Sequence, residues 1–255
     1  MGNLAFKGLV WLLSSVCVVF MGAAIASGSE LEWSYEGSNG PEAWGGLSAA
    51  FSACEVGLAQ SPINIDPTAA AHQNEIEFTY GRAPLNIANN GRTIRVNVSA
   101  ANTIKLGDED YVLQQFHFHR PSEHIVSGEP YAMEMHLVHQ NAAGDLMVVG
   151  IFLTEGAENS ALTPIWQAMP QGQSPAQDIA GVEIDVKALL PANLTQYRYD
   201  GSLTTPPCSE PVKWVIMATP VEVSAAQIEQ FSRIISPNAR PIQPLNHRFS
   251  SRADG

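Results

Sequence analysis

The sequence predicts a mainly β protein: a single domain built on a large, mostly antiparallel, twisted sheet with a few short peripheral helices. Three observations carry that expectation. From Glu75 onward, short runs of alternating or β-branched residues are separated by turn-forming residues, the pattern of strands joined by hairpins and loops. Only two windows carry a helical signature. No repeat, low-complexity block or linker interrupts residues 27–255, a length that all-β folds fill as one domain.

In chain order, the first segment stands apart from that domain. Lys7, the apolar "LVWLLSSVCVVFMGAAIA" and the small-x-small Ala24-Ile25-Ala26 have the form of a signal peptide spanning 1–26, cleaved before Ser27. An uncleaved anchor is the competing reading, because the apolar run approaches the roughly 18 residues that cross a bilayer. The lack of a basic stop-transfer cluster favours cleavage, with no stable membrane insertion afterwards. A periplasmic or secreted location follows. Residues 27–67 are rich in Gly, Pro and Trp without a sustained period and read as a long ordered wrap. The expected strands are "IEFTY", "LNIAN", "TIRVNV", "TIKL", "YVLQQFHFH", "YAMEMHLVHQ", "LMVVGIFL" and "VKWVIMAT". The expected helices are "SALTPIWQAM" and "SAAQIEQFSRII", the latter opening with Ser224 and Gln227 at capping-box spacing.

A net charge of −12 argues against nucleic acid as a partner, since phosphate backbones need basic surface. Cys17 leaves with the signal. Cys54 and Cys208 remain, and a disulfide between them is the default for an even pair in an oxidising compartment. The alternative is two unpaired buried thiols. Oligomeric state is not readable.

Histidines carry the chemistry. Five of the seven fall between His117 and His139, in "QQFHFHRPSEH" and "EMHLVH". Alternation in an extended strand puts Tyr111, Leu113, Gln115, His117 and His119 on one face and Val112, Phe116 and Phe118 on the other, toward a core. In the second stretch Glu134, His136 and Val138 share a face while His139 points away. If the strands are neighbours, His117, His119 and His136 converge. Three neutral nitrogens without a thiolate suit Zn²⁺, and an open fourth position marks a catalytic site. Gln115 and Glu134 are placed to accept hydrogen bonds from the ligands' other ring N–H groups.

Together with the acid in "SEH" and the later "GSLTTPPC", these motifs resemble an α-class carbonic anhydrase. "WSYEGSNGPEAWG", "QSPINI", "NNG" and "NARPIQPL" extend the resemblance over nearly the whole mature chain. It implies reversible hydration of CO₂ to bicarbonate and a proton by a zinc-bound hydroxide, with His117, His119 and His136 as ligands. It also implies that the Thr204 hydroxyl accepts a hydrogen bond from that hydroxide and passes its own proton to ionised Glu123. Thr205 resembles the pocket-side neighbour, and Val138, Val148, Leu203, Val212 and Trp214 the apolar pocket wall, although core packing explains those five side chains equally well. Ser61-Pro62 and Pro206-Pro207 become candidates for cis peptides.

One departure stands out. Tyr35 and Asn90 resemble residues that order water in the proton channel, but the position after "NNG", a histidine in many fast members, is Arg92. A guanidinium has no acceptor and stays protonated, so it cannot shuttle protons. Proton export is therefore expected to limit turnover, with Arg95 adding a second positive charge at the rim and His72 an unplaced alternative carrier. Two rivals fail on residues. A cupin-type oxygenase fits HxHxxxE through Glu123 but needs glycines where Tyr111 and Pro130 stand. A non-catalytic relative would be expected to lose a ligand or the Thr204–Glu123 pair, and all five residues are present.

Overall fold

The computed structural model describes residues 1–2, 32–68, 76–98 and 101–253. The expected signal peptide and His72 lie outside the described residues. Chain contacts separate residues 1–30 from 31–255, and the fold described below belongs to the second unit.

That unit carries β1 (Asn64–Ile65), β2 (Ile76–Thr79), β3 (Arg82–Asn89), β4 (Ile94–Asn97), β5 (Thr103–Leu106), β6 (Glu109–His119), β7 (Ile125–Val126) and β8 (Glu129–Pro130). It continues through β9 (Met133–Gln140), β10 (Leu146–Glu155), β11 (Ser174–Asp185), β12 (Gln196–Gly201), β13 (Val212–Met217), β14 (Val221–Val223) and β15 (Ser251–Ala253). The helices are α1 (Trp44–Leu47), α2 (Ala53–Val56), α3 (Thr163–Ala168) and α4 (Ala225–Ile234). All eight expected strands form, and so do both expected helices, α3 as a shorter piece. In α4 the Ser224 hydroxyl accepts from the Gln227 N–H and the Gln227 side chain accepts from the Ser224 N–H, a reciprocal cap.

The main sheet runs β11-β3-β4-β6-β9-β10-β13-β12-β15, with β14 against β10 and the β2–β5 pair attached to β6. Most pairings are antiparallel, but β10 is parallel to both β13 and β14, so the sheet is mixed. Alternation along β10 sorts the two faces. Val149, Ile151 and Leu153 join the main core with Phe116, Phe118, Met135 and Leu137. Val148 and Phe152 face a second apolar cluster with Trp214, Tyr199 and Ile216. Each large side chain sealed into the main core contributes roughly 1.5–3 kcal/mol, which fixes which face of β6 and β9 is left for the histidines.

The strict alternation expected along β6 is broken. The β6–β9 register runs Leu113↔His139 and then Gln115↔Val138, leaving Gln114 unpaired in a bulge. One extra residue inverts the parity, so Tyr111 and Leu113 sit in the main core beside Phe116 and Phe118 rather than on the histidine face. Val112 correspondingly leaves the core and lies half-buried opposite Gln140. The correction concerns only the strand's first half; Gln115, His117 and His119 keep their shared face. The disulfide Cys54–Cys208 is formed, with Cα atoms 5.0 Å apart. It lies against Trp44, joining the N-terminal wrap to the "LTTPPC" loop. Ser61-Pro62 and Pro206-Pro207 are cis, as are Arg120-Pro121 and Glu210-Pro211.

Candidate metal centre

Strand register builds the site. Arg95 on β4 pairs with His117 on β6, His117 with His136 on β9, and His136 with Gly150 on β10. The next row carries Gln115, Val138, Val148 and Trp214. His119 lies one step along β6, on the same face as His117. The three rings are mutual neighbours, with centroids 5.0 Å apart for His117–His119, 5.5 Å for His117–His136 and 4.5 Å for His119–His136. One nitrogen from each lies within 4.8 Å of the others, close enough for one ion to bridge.

Hydrogen bonds identify those nitrogens. His117 Nδ1–H donates to Gln115 Oε1 (2.9 Å), His119 Nδ1–H to the Asn238 carbonyl (2.8 Å) and His136 Nε2–H to Glu134 Oε1 (2.9 Å). Carbonyl and carboxylate oxygens only accept, so each bonded nitrogen carries the proton and the opposite one, in a neutral ring, offers a lone pair. Those are His117 Nε2, His119 Nε2 and His136 Nδ1. His119 Nε2 is buried with no hydrogen-bond partner, a state that costs free energy unless something fills it. An all-imidazole set of three suits zinc and leaves a fourth position open. A second grouping, His124–Glu134–His136, needs no ion: His124 Nδ1 and His136 Nε2 both donate to Glu134 Oε1, at 2.8 and 2.9 Å.

Glu134 is fully buried and accepts four N–H groups. Besides the two imidazoles, its Oε2 takes the backbone N–H groups of Glu123 (2.9 Å) and His124 (2.8 Å). Burial alone would raise its pKa, yet the opposing pull of His124 and His136 holds it well below the carboxylate range. Gly150 makes room for it, since a Cβ there would lie 2.8 Å from Glu134 Oε1. Burial lowers the pKa of His117, helped by repulsion from His119, His136 and Arg95, and burial also lowers that of His119. For His136 burial acts downward too, but the charge and hydrogen bond of Glu134 outweigh it and the pKa rises.

Glu123 is buried beside the lone-pair nitrogens, its Oε2 3.5 Å from His119 Nε2 and 3.8 Å from His136 Nδ1. Its Oε1 accepts from the Arg240 N–H (2.8 Å), whereas Oε2 has no hydrogen-bond partner. Thr204 is buried and makes no hydrogen bond to Glu123 here. Thr205 is half-buried, with its carbonyl accepting from the Cys208 N–H. Val148, Val212 and Trp214 form part of the second apolar cluster, with Val138 and Leu203 packed against it. The Trp214 ring lies 4.9 Å from that of His136, so this apolar wall abuts the histidines.

Arg92 is held in place by Trp33. Its Nε and Nη2 donate to the Trp33 carbonyl (3.2 and 3.1 Å), and its guanidinium sits 4.2 Å over the Trp33 ring. Asn90 Oδ1 accepts from the Arg92 and Thr93 N–H groups, closing the turn. Tyr35 has a pKa raised by burial, then by the charge of Glu123, with Arg92 opposing; it therefore stays a neutral phenol.

Two residues of the site, Asn238 and His124, stand in motifs of the sequence, "NARPIQPL" and "QQFHFHRPSEH", that gave them no individual role. Asn238 supplies His119's acceptor through its backbone carbonyl, while its side chain bonds Arg120 N–H and the carbonyls of Arg92 and Phe118. His124 connects Glu134 to Tyr199, whose hydroxyl also reaches Ser61. A family model described as eukaryotic-type carbonic anhydrase matches residues 39–251. The chain belongs to the α-carbonic anhydrase family. A carbonic anhydrase of Pectobacterium atrosepticum is 44% identical over 237 residues, 92% of this chain and 97% of the relative. One from a Nostoc species is 45% identical over 229 residues, 88% of this chain and 87% of the relative. Among solved structures, the α-carbonic anhydrase of Thermovibrio ammonificans, in complex with the inhibitor sulfanilamide, matches with a TM-score of 0.84 and 40% identity, covering 88% of this chain and 100% of that one.

Proposed function

We propose that this chain is an exported zinc enzyme for the reversible hydration of CO₂, whose turnover is limited by the export of protons. The observation that carries the reading is the set of three imidazoles, each fixed by a hydrogen bond on one nitrogen and offering the other to a common point. Three-histidine zinc sites with an open position are the type known from carbonic anhydrases themselves. His117, His119 and His136 would hold the ion, and zinc so held acidifies water and supplies a nucleophile at neutral pH.

The protein's own groups do the rest. Gln115, the Asn238 carbonyl and Glu134 fix the tautomer and orientation of each ligand ring. Glu123, anchored by the Arg240 N–H, keeps Oε2 free as an acceptor for the Thr204 hydroxyl, which then presents its own oxygen to the nucleophile and orients it. Val138, Val148, Leu203, Val212 and Trp214 give an apolar substrate a place free of competing hydrogen bonds, with Thr205 at its edge. Tyr35 and Asn90 line the way out, and Arg92 ends it without a group that can take a proton. The bacterial relatives and the disulfide support export; among the described residues no helix is long and apolar enough to cross a membrane.

The test is stopped-flow CO₂ hydration across a range of buffer concentrations. Turnover of the wild type should climb with buffer, and Arg92→His should raise it at low buffer by roughly tenfold or more, the scale of a positioned proton carrier. Equal turnover of the two proteins at every buffer concentration would show that another group carries the proton. Loss of activity on adding sulfanilamide or a zinc chelator separates the metal-dependent reaction from background.

A further inference from the structure

Arg95 and Arg240 each leave one buried guanidinium nitrogen, Nε, without a hydrogen-bond partner, but the rest of the Arg240 group is satisfied. Arg240 donates to Gln60 Oε1 and to the carbonyls of Ser61 and Cys54. Arg248 donates to the carbonyls of Leu245, Asp200, Gln60 and Pro244. Arg198 differs. Among the described residues it alone has Nε, Nη1 and Nη2 all buried and all without a hydrogen-bond partner. A guanidinium cannot escape this by giving up its proton, although burial does lower its pKa. Five N–H donors and a positive charge without acceptors cost far more than one lost hydrogen bond.

The surroundings indicate what is missing. Arg198 lies on β12, opposite Val215 of β13 and Ser251 of β15. Tyr197 and Tyr199 belong to the apolar cluster that abuts the metal centre, so Arg198 emerges on the other face of the sheet. There it lines a cavity of about 340 Å³ with Met147, Asp200, Lys213, Phe249 and Ser251. Lys213 is a second cation, and Asp200 is directly across from it, but among the described residues Asp200 lies within ion-pair distance of neither. Phe249 is 87% exposed and forms the outer edge. The cavity thus joins an unpaired, rigid donor fork to a second positive charge, an apolar floor and an opening to solvent.

We propose that this cavity binds a small planar oxyanion of the carboxylate or bicarbonate class, taken bidentately by Arg198 with Lys213 as the second cation. The fork of a guanidinium matches two oxygens of such an anion in one plane, and the anion supplies the acceptors that the fold withholds. The site is separate from the histidine centre, and nothing in its logic depends on the reaction assigned there.

Thermal unfolding of the full chain in bicarbonate, in acetate and in chloride at fixed ionic strength tests it, comparing wild type with Arg198→Met and Asp200→Asn. Anion binding at the histidines and general salt effects are common to all three proteins and cancel in the comparison. At ten times the dissociation constant, the wild-type midpoint should rise by roughly 3 °C relative to chloride, and the rise should be absent in Arg198→Met. A rise with both anions supports the whole class; a rise with one alone assigns the source. In chloride, Arg198→Met should be no less stable than wild type, because it removes an unpaired buried charge. Asp200→Asn should increase the anion-dependent rise. Equal rises in wild type and Arg198→Met overturn the proposal, and so does a destabilised Asp200→Asn with no anion effect, which would make Asp200 the counter-ion. Should Arg198→Met not fold, saturation-transfer NMR with labelled acetate on wild type and Arg198→Lys decides: competition by bicarbonate and a weakened lysine variant support the site, and no transfer to wild type refutes it.

Discussion

Single residues set the chemistry, and Glu134 sets most of it. Four N–H donors converge on its carboxylate, an arrangement that only an acceptor-only group can meet in full. Glu134→Gln would turn one end of that group into a donor facing donors, loosening His136. Metal affinity, measured by chelator competition, should fall by about 10- to 100-fold, with the fold retained; unchanged affinity would mean that His136 is held by packing alone. The histidine trio was legible because period-two alternation and side-chain chemistry are both written in the letters. Gln115 and Glu134 were legible for the same reason. Asn238 was not: it acts on His119 through a backbone carbonyl, a group that every residue carries, from 119 positions away in sequence. Arg92 could be read as unable to relay protons, but its fixing by the Trp33 carbonyl and ring depends on a chain segment 59 residues earlier.

At the scale of elements, β6 decides whether the site exists. Its second half presents the histidines and its first half buries Tyr111 and Leu113, and the Gln114 bulge reconciles the two. Deleting Gln114 would restore plain alternation and turn Tyr111 and Leu113 out of the core while β9 still pins the histidines. Urea unfolding should show a loss of about 3 kcal/mol or more from those two side chains, whereas Gln114→Ala, which keeps the bulge, should stay near wild type. Equal effects would place the cost in the side chain and not in the register. The bulge was illegible because "LQQF" offers two equivalent polar residues and no glycine or proline to mark an interruption. β11 was missed for another reason: as a largely exposed edge strand with register shifts against β3, it has no one-sided apolar pattern to read. The strands flanking the histidines were legible because both faces around them are buried and their apolar runs are correspondingly dense.

Burial lowers the pKa of His117, His119 and His139, and for His139 this has a consequence for acid stability. His139, bonded through Nε2 to the Tyr80 hydroxyl at 2.7 Å, has its pKa lowered by burial from 6.5 to about 3. The unfolded chain therefore binds the extra proton between those values, so stability falls as pH drops through that window and levels off below it. At about 1.4 kcal/mol per pH unit the contribution reaches roughly 5 kcal/mol at most. His139→Gln, which keeps a partner for Tyr80, should flatten the acid limb of stability between pH 6.5 and 3; an unaltered limb would assign acid sensitivity to other groups. Fold class, the disulfide partners and the family were legible at this scale because ordered motifs recur along the whole chain, while the mixed strand order was not, since parallel pairing of β10 with β13 joins segments that no local pattern connects. All levels meet in one quantity, the metal content of the purified protein. Elemental analysis should find one zinc per wild-type chain and a stoichiometric loss in His119→Ala; a wild-type chain without zinc, or zinc retained in full by His119→Ala, would contradict the account.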